Sequence, residues 1–113
     1  MKNGEKVKRS NRGLDSINHV AITVNSIEES VKWYKRNFNC TIVYQDETWA
    51  KLEFANINLA LVVSRQHPGH LGFVVQDADK YGELKTHRDG TRSVYIQDPT
   101  GNAVEIMSGD SID

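Results

Sequence analysis

Three residues that can bind a metal ion interrupt otherwise apolar stretches of this chain. His19 lies in the segment INHVAITV, His70 begins HLGFVV, and Glu105 lies in NAVEIM. Two neutral imidazoles and one carboxylate suit a borderline divalent metal ion and leave positions open for water or substrate. Taken alone, each histidine is better explained as a hydrogen-bonded structural residue, and the glutamate as a solvated one. The interpretation as a metal site therefore depends on whether the three side chains meet.

Apolar alternation in the same segments predicts strands that bring these side chains together. In residues 17–24 the valines and the isoleucine at alternate positions share one face, and His19 lies on the other. The same alternation separates His70 and Glu105 from their apolar neighbours. A sheet that packs helices on its apolar face would aim both imidazoles and the carboxylate into the concavity on its other side.

A repeat organises the elements around these strands. HLGFVV repeats the pattern of HVAITV at an offset of 51 residues, and a polar pair follows each. In the first half, Ser26 to Glu29 form a capping box that opens a helix, and apolar residues then recur at helical spacing. Three predicted strands follow this helix: Thr41–Gln45, Trp49–Phe54 and Ile57–Val63.

The second half follows the same plan in a shorter form. Asp77 is a predicted N-cap, and Gly82 limits the helix that follows it. Strands are predicted at Arg92–Gln97 and Asn102–Met107, joined by a tight turn over DPTG. The polar stretch Thr86–Thr91 predicts that one strand is shortened or absent, which would leave one side of the site open. The sequence thus predicts an α+β fold of two βαβββ modules, the second one shortened.

Composition and charge limit the class of protein. The chain has 113 residues, the size of one domain, and a formal net charge of −1. Residues 1–13 carry five basic residues and one acidic residue, so the rest of the chain is acidic, which argues against broad nucleic-acid binding. No apolar run is long enough to span a membrane and the start has no signal-peptide pattern. With Cys40 as its single cysteine, the chain has no internal disulfide, and we expect a cytoplasmic protein.

Three segments resemble the vicinal oxygen chelate superfamily, which includes glyoxalases, bleomycin-resistance proteins, fosfomycin-resistance enzymes and extradiol dioxygenases. They are INHVAITVNSIEESVKWY, GHLGFVVQDADKY and SVYIQDPTGNAVEI. The resemblance implies paired βαβββ modules that form an incurved mixed sheet around a cleft. It places one domain at residues 16–108, with modules at 16–64 and 69–108, after a basic tail over residues 1–15 that we expect to be disordered.

The resemblance also implies a ligand set and catalytic residues. The superfamily's metal ligands correspond to His19, His70 and Glu105 here, and they would hold one divalent ion such as Zn, Ni, Mn or Fe. Where glyoxalase I has a fourth, glutamate ligand, this chain has Ala60, so the site resembles the His-His-Glu type of thiol transferases and dioxygenases. Tyr95 would either point into the cleft and hydrogen-bond an oxygen on the metal, as in metal-dependent relatives, or pack against its strand neighbours with its hydroxyl in water. Glu105 would serve as a base if displaced.

Three functions remain open from the sequence. The first is a metal-dependent lyase, isomerase or thiol transferase that acts on a small oxygenated metabolite through a metal-stabilised oxyanion. The second is an Fe(II) extradiol-type dioxygenase, and the third is a metal-free small-molecule binding protein like the bleomycin-resistance proteins. We expect a homodimer that binds neither nucleic acid nor membrane. Arg92 is a candidate for binding an anionic substrate group, but a solvated arginine at the strand end is the favoured interpretation. His67 is expected at the rim or in solvent, and His87 has no predicted partner.

Overall fold

The computed structural model describes residues 13–112. Most of the tail that we expect to be disordered, residues 1–12, therefore lies outside the described residues. One α-helix, α1, spans Ile27–Asn37. The strands are β1 Ser16–Thr23, β2 Thr41–Gln45, β3 Trp49–Glu53, β4 Asn58–Val62, β5 His70–Val75, β6 Lys85–Thr86, β7 Arg92–Gln97 and β8 Ala103–Ser108. Within 13–112, no helix is long and apolar enough to cross a membrane.

The eight strands form one mixed sheet whose order repeats the two halves of the sequence. The order is β2-β3-β4-β1-β5-β8-β7-β6, so each half places its first strand at the centre and its second strand at an edge. β1 pairs in parallel with β4, and β5 pairs in parallel with β8. The two halves join where β1 and β5 pair antiparallel. This arrangement confirms the predicted fold class, with the two first strands side by side at the bottom of the cleft.

Helix α1 covers the convex face of the first half. The Ser26 hydroxyl caps the helix by accepting a hydrogen bond from the Glu29 amide at 3.2 Å, as the capping box predicts. Ile27 and Val31 are buried against the sheet, where they contact a group of apolar residues on β3 and β4 that includes Ala50, Leu52 and Leu61. Because these strand residues alternate with those facing the cleft, the packing on the convex face fixes the direction of the cleft side chains.

The second half has a single turn of 3-10 helix, Ala78–Tyr81, in place of an α-helix. Gly82 ends it with a φ of 147°, a backbone conformation that favours glycine. Asp77 lies at the N-cap position, but its side chain makes no capping hydrogen bond, so the predicted cap is wrong. The sixth strand has only two residues, which agrees with the predicted shortening of this module.

The loop over residues 87–91 closes the side of the cleft that the sequence predicts to be open. Arg88 forms an ion pair with Asp46 at 2.8 Å and donates a hydrogen bond to the Thr48 hydroxyl at 2.7 Å. The neighbouring Asp89 carboxylate lies 3.3 Å from the Lys51 ammonium on β3. The expectation of an open side is therefore wrong. The second half lacks a long sixth strand, but the charged side chains of the 87–91 loop take its place and contact the first half.

Candidate metal centre

Three side chains from three different strands meet at the bottom of the cleft. The Nε2 atoms of His19 and His70 lie 3.1 Å apart. Each lies close to the same carboxylate oxygen, Oε1 of Glu105, at 3.0 Å from His19 and 3.1 Å from His70. All three residues are buried. The structure thus brings together the three metal-capable residues that alternation placed on one face, and their ligand atoms form a nearly equilateral triangle.

Hydrogen bonds fix both imidazole rings with Nε2 turned toward the cleft. Nδ1 of His70 donates to the Pro68 carbonyl at 2.8 Å, and Nδ1 of His19 donates to the Asn18 side-chain oxygen at 2.8 Å. Asn18 stands in a β-bulge, because the pairing of β1 with β5 shifts register between Ile17 and His19. With the proton on Nδ1, each neutral ring presents the lone pair of Nε2, which is the form that binds a metal ion.

Gly72 makes room for the His19 ring. It pairs with His19 across β1 and β5 and with Glu105 across β5 and β8. A Cβ atom at this position would stand 2.1 Å from Cε1 of His19, and the three nearest atoms all belong to that ring. The glycine is therefore a steric requirement of the site, which alternation alone does not indicate.

The second carboxylate oxygen of Glu105 is held by residues that the sequence analysis missed. The buried Ser93 hydroxyl donates to Oε2 of Glu105 at 2.6 Å. Nε2 of His87 donates to Ser93 at 2.6 Å and lies 3.4 Å from Oε2. Ser93 shares the cleft face of β7 with Tyr95, so the period of two could have located it. His87 lies in a loop, where no periodic signal indicates its direction.

The surroundings of Glu105 and Tyr95 set the protonation of each. Burial opposes ionisation of Glu105. Hydrogen bonds from His19, His70 and His87, which the first two rings make only when Nε2 also carries a proton, outweigh it and hold the pKa of Glu105 well below the ordinary value. Burial, together with the negative charge of Glu105, raises the pKa of Tyr95. At neutral pH the site therefore contains a carboxylate and a protonated phenol.

Tyr95 stands at the edge of the triangle. It pairs with Glu105 across β7 and β8, and its hydroxyl lies 3.3 Å from Nε2 of His70. The His67 ring lies nearly parallel to the Tyr95 ring with centroids 6.4 Å apart, which places His67 at the rim. Burial lowers the pKa of His67, and the neighbouring His70 adds to this effect.

The cleft above these residues has a volume of about 570 Å³, including its open mouth. Ala60 and Val62 line its floor and Trp49 one wall. Trp33 lies instead on the outer surface of α1 beside Tyr34. Arg92, the candidate anion-binding residue of the sequence analysis, is not part of the cleft. It pairs with Asp110 at 2.6 Å near the end of β8, which agrees with the favoured interpretation of a strand-end arginine outside the site.

The donor set fits a divalent metal ion. Two Nε2 lone pairs and a carboxylate oxygen within 3.1 Å of one another repel unless a cation or protons lie among them. Ligand atoms that share an ion at about 2.1 Å, at right angles to one another, stand about 3.0 Å apart. The observed triangle has this size. The three ligand atoms would bind an ion from the bottom of the cleft, so the coordination positions that face the cleft would stay open for other ligands.

Comparisons with known proteins find similar chains and a similar fold. A metallothiol transferase FosB from Lysinibacillus sphaericus is 25% identical, over 85% of this chain and 84% of its own length. A FosB from Staphylococcus haemolyticus is 26% identical over similar shares, 85% of each chain. Among solved structures, a hypothetical protein from Bacillus halodurans shares the fold with a TM-score of 0.67 and 13% identity, over 88% of this chain and 97% of its own.

The family pattern covers most of the first half and extends into the second. The sequence pattern of the Glyoxalase/Bleomycin resistance protein/Dioxygenase superfamily matches residues 16–83, which include His19, His70 and Gly72. The match includes the first two of the three sequence segments and confirms the resemblance to this superfamily. This chain belongs to the Glyoxalase/Bleomycin resistance protein/Dioxygenase superfamily.

Proposed function

We propose that this protein is a divalent-metal-dependent enzyme that acts on a small oxygenated molecule, with His19, His70 and Glu105 as the metal ligands. The observation that carries the proposal is the triangle of three ligand atoms 3.0 to 3.1 Å apart. Nδ1 of both histidines is already used as a donor, so each ring has its Nε2 lone pair available. A metal-free binding protein would not need this set of donors.

A bound divalent cation would supply Lewis-acid chemistry, by polarising substrate oxygens and stabilising the negative charge that develops on them. The residues around the site would handle orientation and protons. The Tyr95 hydroxyl, kept protonated by its raised pKa, can donate a hydrogen bond to a substrate oxygen. Ser93 orients the Glu105 carboxylate, and Glu105 would act as a base on a neighbouring substrate carbon or thiol only if displaced from the metal.

Transfer of a thiol to a small oxygenated substrate is the reaction class that we favour. The FosB relatives, named as metallothiol transferases, match 85% of this chain. Ala60 supports the same class, because it is a small residue in the cleft at the position where glyoxalase I has a fourth acidic ligand. An Fe(II) dioxygenase is the second candidate, since two histidines and one carboxylate on one side of an ion also form the facial triad that activates O₂.

We also infer that the protein is a homodimer. Ile17 and Leu71 lie on the convex face of the adjacent strands β1 and β5, and they are 48% and 40% exposed. The short 3-10 helix of the second half does not cover them. Apolar side chains at the centre of a sheet are commonly buried by symmetric association. Light scattering at micromolar concentration should give twice the chain mass, and Leu71→Lys should shift it toward the monomer, whereas a monomeric wild type would contradict this inference.

Activity assays of the metal-loaded protein test the reaction class. The protein is reconstituted separately with Zn, Ni, Mn and Fe(II) and assayed with fosfomycin plus a thiol, with methylglyoxal–thiol adducts and with catechols. We expect thiol-dependent turnover of an oxygenated substrate that is lost in Glu105→Gln. Turnover of catechols with O₂ uptake would favour the dioxygenase instead. Unchanged activity in a metal-free preparation would contradict the proposal as a whole.

A further inference from the structure

Lys51 is a cation in the cleft whose presence the proposed metal chemistry does not explain. Its side chain is only 15% exposed, and it lines the same cleft as His70 and Glu105. Burial of an ammonium group costs free energy, so lysine is seldom buried without a partner. The single ion pair that the structure gives Lys51 joins Nζ to Oδ2 of Asp89 at 3.3 Å. An ammonium group has three N–H donors, and one carboxylate oxygen does not use them all.

The second cation in the described part of the cleft, Arg88, is held by the turn between β2 and β3. One of its terminal nitrogens contacts Asp46 at 2.8 Å, and the other donates to Thr48 at 2.7 Å. Asp46 and Thr48 belong to the turn between β2 and β3, so Arg88 serves to anchor the 87–91 loop. Both terminal nitrogens of Arg88 are thus held by this turn, whereas a single contact holds the Lys51 ammonium.

Cross-strand pairing sets the position of Lys51 relative to the metal ligands. Lys51 pairs with Ala60, Ala60 with Ala21, and Ala21 with His70, so the four residues form one row on the cleft face. Three strand spacings of about 4.8 Å separate the backbones of Lys51 and His70 by about 14 Å. The side chains of the two alanines between them are the smallest that the row could have, and both are buried. They form a smooth floor on which a molecule of a few carbon atoms can lie.

The ion pair with Asp89 shows that the Lys51 ammonium can bind a carboxylate at this position. Oδ1 of Asp89 accepts hydrogen bonds from the Thr91 amide at 3.0 Å and the Thr91 hydroxyl at 2.7 Å. These bonds hold Asp89 in the loop and leave only Oδ2 for Lys51. The negative charge of Asp89 lowers the attraction of Lys51 for other anions without blocking its remaining donors.

We propose that Lys51 binds an anionic substituent of the substrate, a carboxylate or a phosphonate, at the opposite end of the cleft from the metal ligands. This inference rests on the proposed function, because it places the oxygenated end of the same substrate at His19, His70 and Glu105. It makes Lys51 the residue that selects acidic substrates over neutral ones of the same length. Asp89 tunes that selection from the loop.

Three hydroxamates of equal chain length test this role by binding alone. Butyrohydroxamate carries a terminal methyl group, succinic monohydroxamate a carboxylate and 3-phosphonopropanohydroxamate a phosphonate, and all three chelate metal ions through the hydroxamate oxygens. Each is titrated into the cobalt-loaded protein by calorimetry. We expect one of the anionic ligands, or both, to bind about 10- to 100-fold more tightly than the methyl compound, because hydrogen bonds between charged groups contribute this much. The comparison of carboxylate with phosphonate identifies the preferred anion.

Substitutions test whether Lys51 causes the difference in affinity between the anionic and methyl ligands. Lys51→Met should bring the anionic and methyl ligands to equal affinity, and Lys51→Arg should retain most of the preference. Asp89→Asn should enlarge it several-fold. Lys32→Met, which removes an exposed lysine from α1, is the matched control and should change nothing. The proposal is overturned if Lys51→Met folds, binds butyrohydroxamate normally and keeps the preference for the anionic ligands.

An experiment on the metal-free protein tests the anion site independently of the metal site. If neither cobalt nor butyrohydroxamate binds, the proposed function fails. Inorganic phosphate is then titrated into the metal-free Asp89→Asn protein and followed by NMR. Phosphate binding that disappears when Lys51→Met is added would support the anion site by itself, and binding that is absent or insensitive to Lys51 would overturn it.

Discussion

Substitution of Gly72 by alanine should abolish metal binding without removing a ligand. The added Cβ would stand 2.1 Å from Cε1 of His19, whereas carbon atoms in contact are separated by about 3.5 Å. The ring must therefore move by about 1.4 Å, several times the roughly 0.2 Å by which ligand distances in a metal site vary. Loss of a partner outside the ligand shell already weakens metal affinity by about 10- to 100-fold. Displacement of a ligand should cost at least about 100-fold.

Competition with a chromophoric chelator measures this loss, and a double-mutant cycle tests its cause. Gly72→Ala should lower the free energy of unfolding by about 1–3 kcal/mol, as overpacked sites do. In a His19→Ala background the clash is gone, so the same change should be neutral or stabilising by up to about 1 kcal/mol. Gly109→Ala is the matched control, because its nearest neighbour, Val74, would lie at an ordinary 3.5 Å. Wild-type metal affinity in Gly72→Ala would refute the position that we assign to the His19 ring.

Three further predictions test other parts of the structure. Ser93→Ala removes the 2.6 Å hydrogen bond to Oε2 of Glu105 and should weaken metal affinity by about 10- to 100-fold; an affinity within twofold of wild type would argue against this orienting role. Ser26→Ala removes the cap of α1 and should cost about 1 kcal/mol in chemical denaturation, with metal affinity unchanged. Burial opposes ionisation of Asp46, but hydrogen bonds from Tyr44, Thr48 and Trp49 lower its pKa from 3.8 to about 2. Its stabilising effect should therefore be complete above about pH 5 and fall as the pH drops toward 2, so Asp46→Asn should show a smaller decrease in melting temperature over that range than wild type.

Local patterns were enough to predict the fold and the three central residues. The period of two placed His19, His70 and Glu105 on one face, and the offset of 51 residues between the two histidines indicated the repeat that the strand order shows. Both signals are local, because alternation sets the direction of each side chain within its own strand. The side chains of β1 and β5 face the same way because each half must bury its apolar face.

Contacts between distant segments could not be predicted in the same way. Arg88 and Thr48 are 40 residues apart, and no pattern in the polar 86–91 stretch indicates that this loop crosses the cleft. His87 and Lys51 were missed for the same reason, since their partners come from other elements. Gly82 predicted a short second helix, but the sequence did not indicate that a 3-10 turn replaces the α-helix.

Stoichiometric metal titration tests the central claim, that His19, His70 and Glu105 hold one divalent ion, most directly. Apo protein is titrated with Co²⁺ while its visible absorption is recorded, and bound metal is counted by elemental analysis after gel filtration. The structure predicts one equivalent per chain in wild type, loss of binding in His70→Ala and Glu105→Gln, and unchanged binding in His67→Ala, which alters only the rim. A wild-type protein that binds no metal, or a His70→Ala variant that still binds one equivalent with wild-type affinity, would contradict the account.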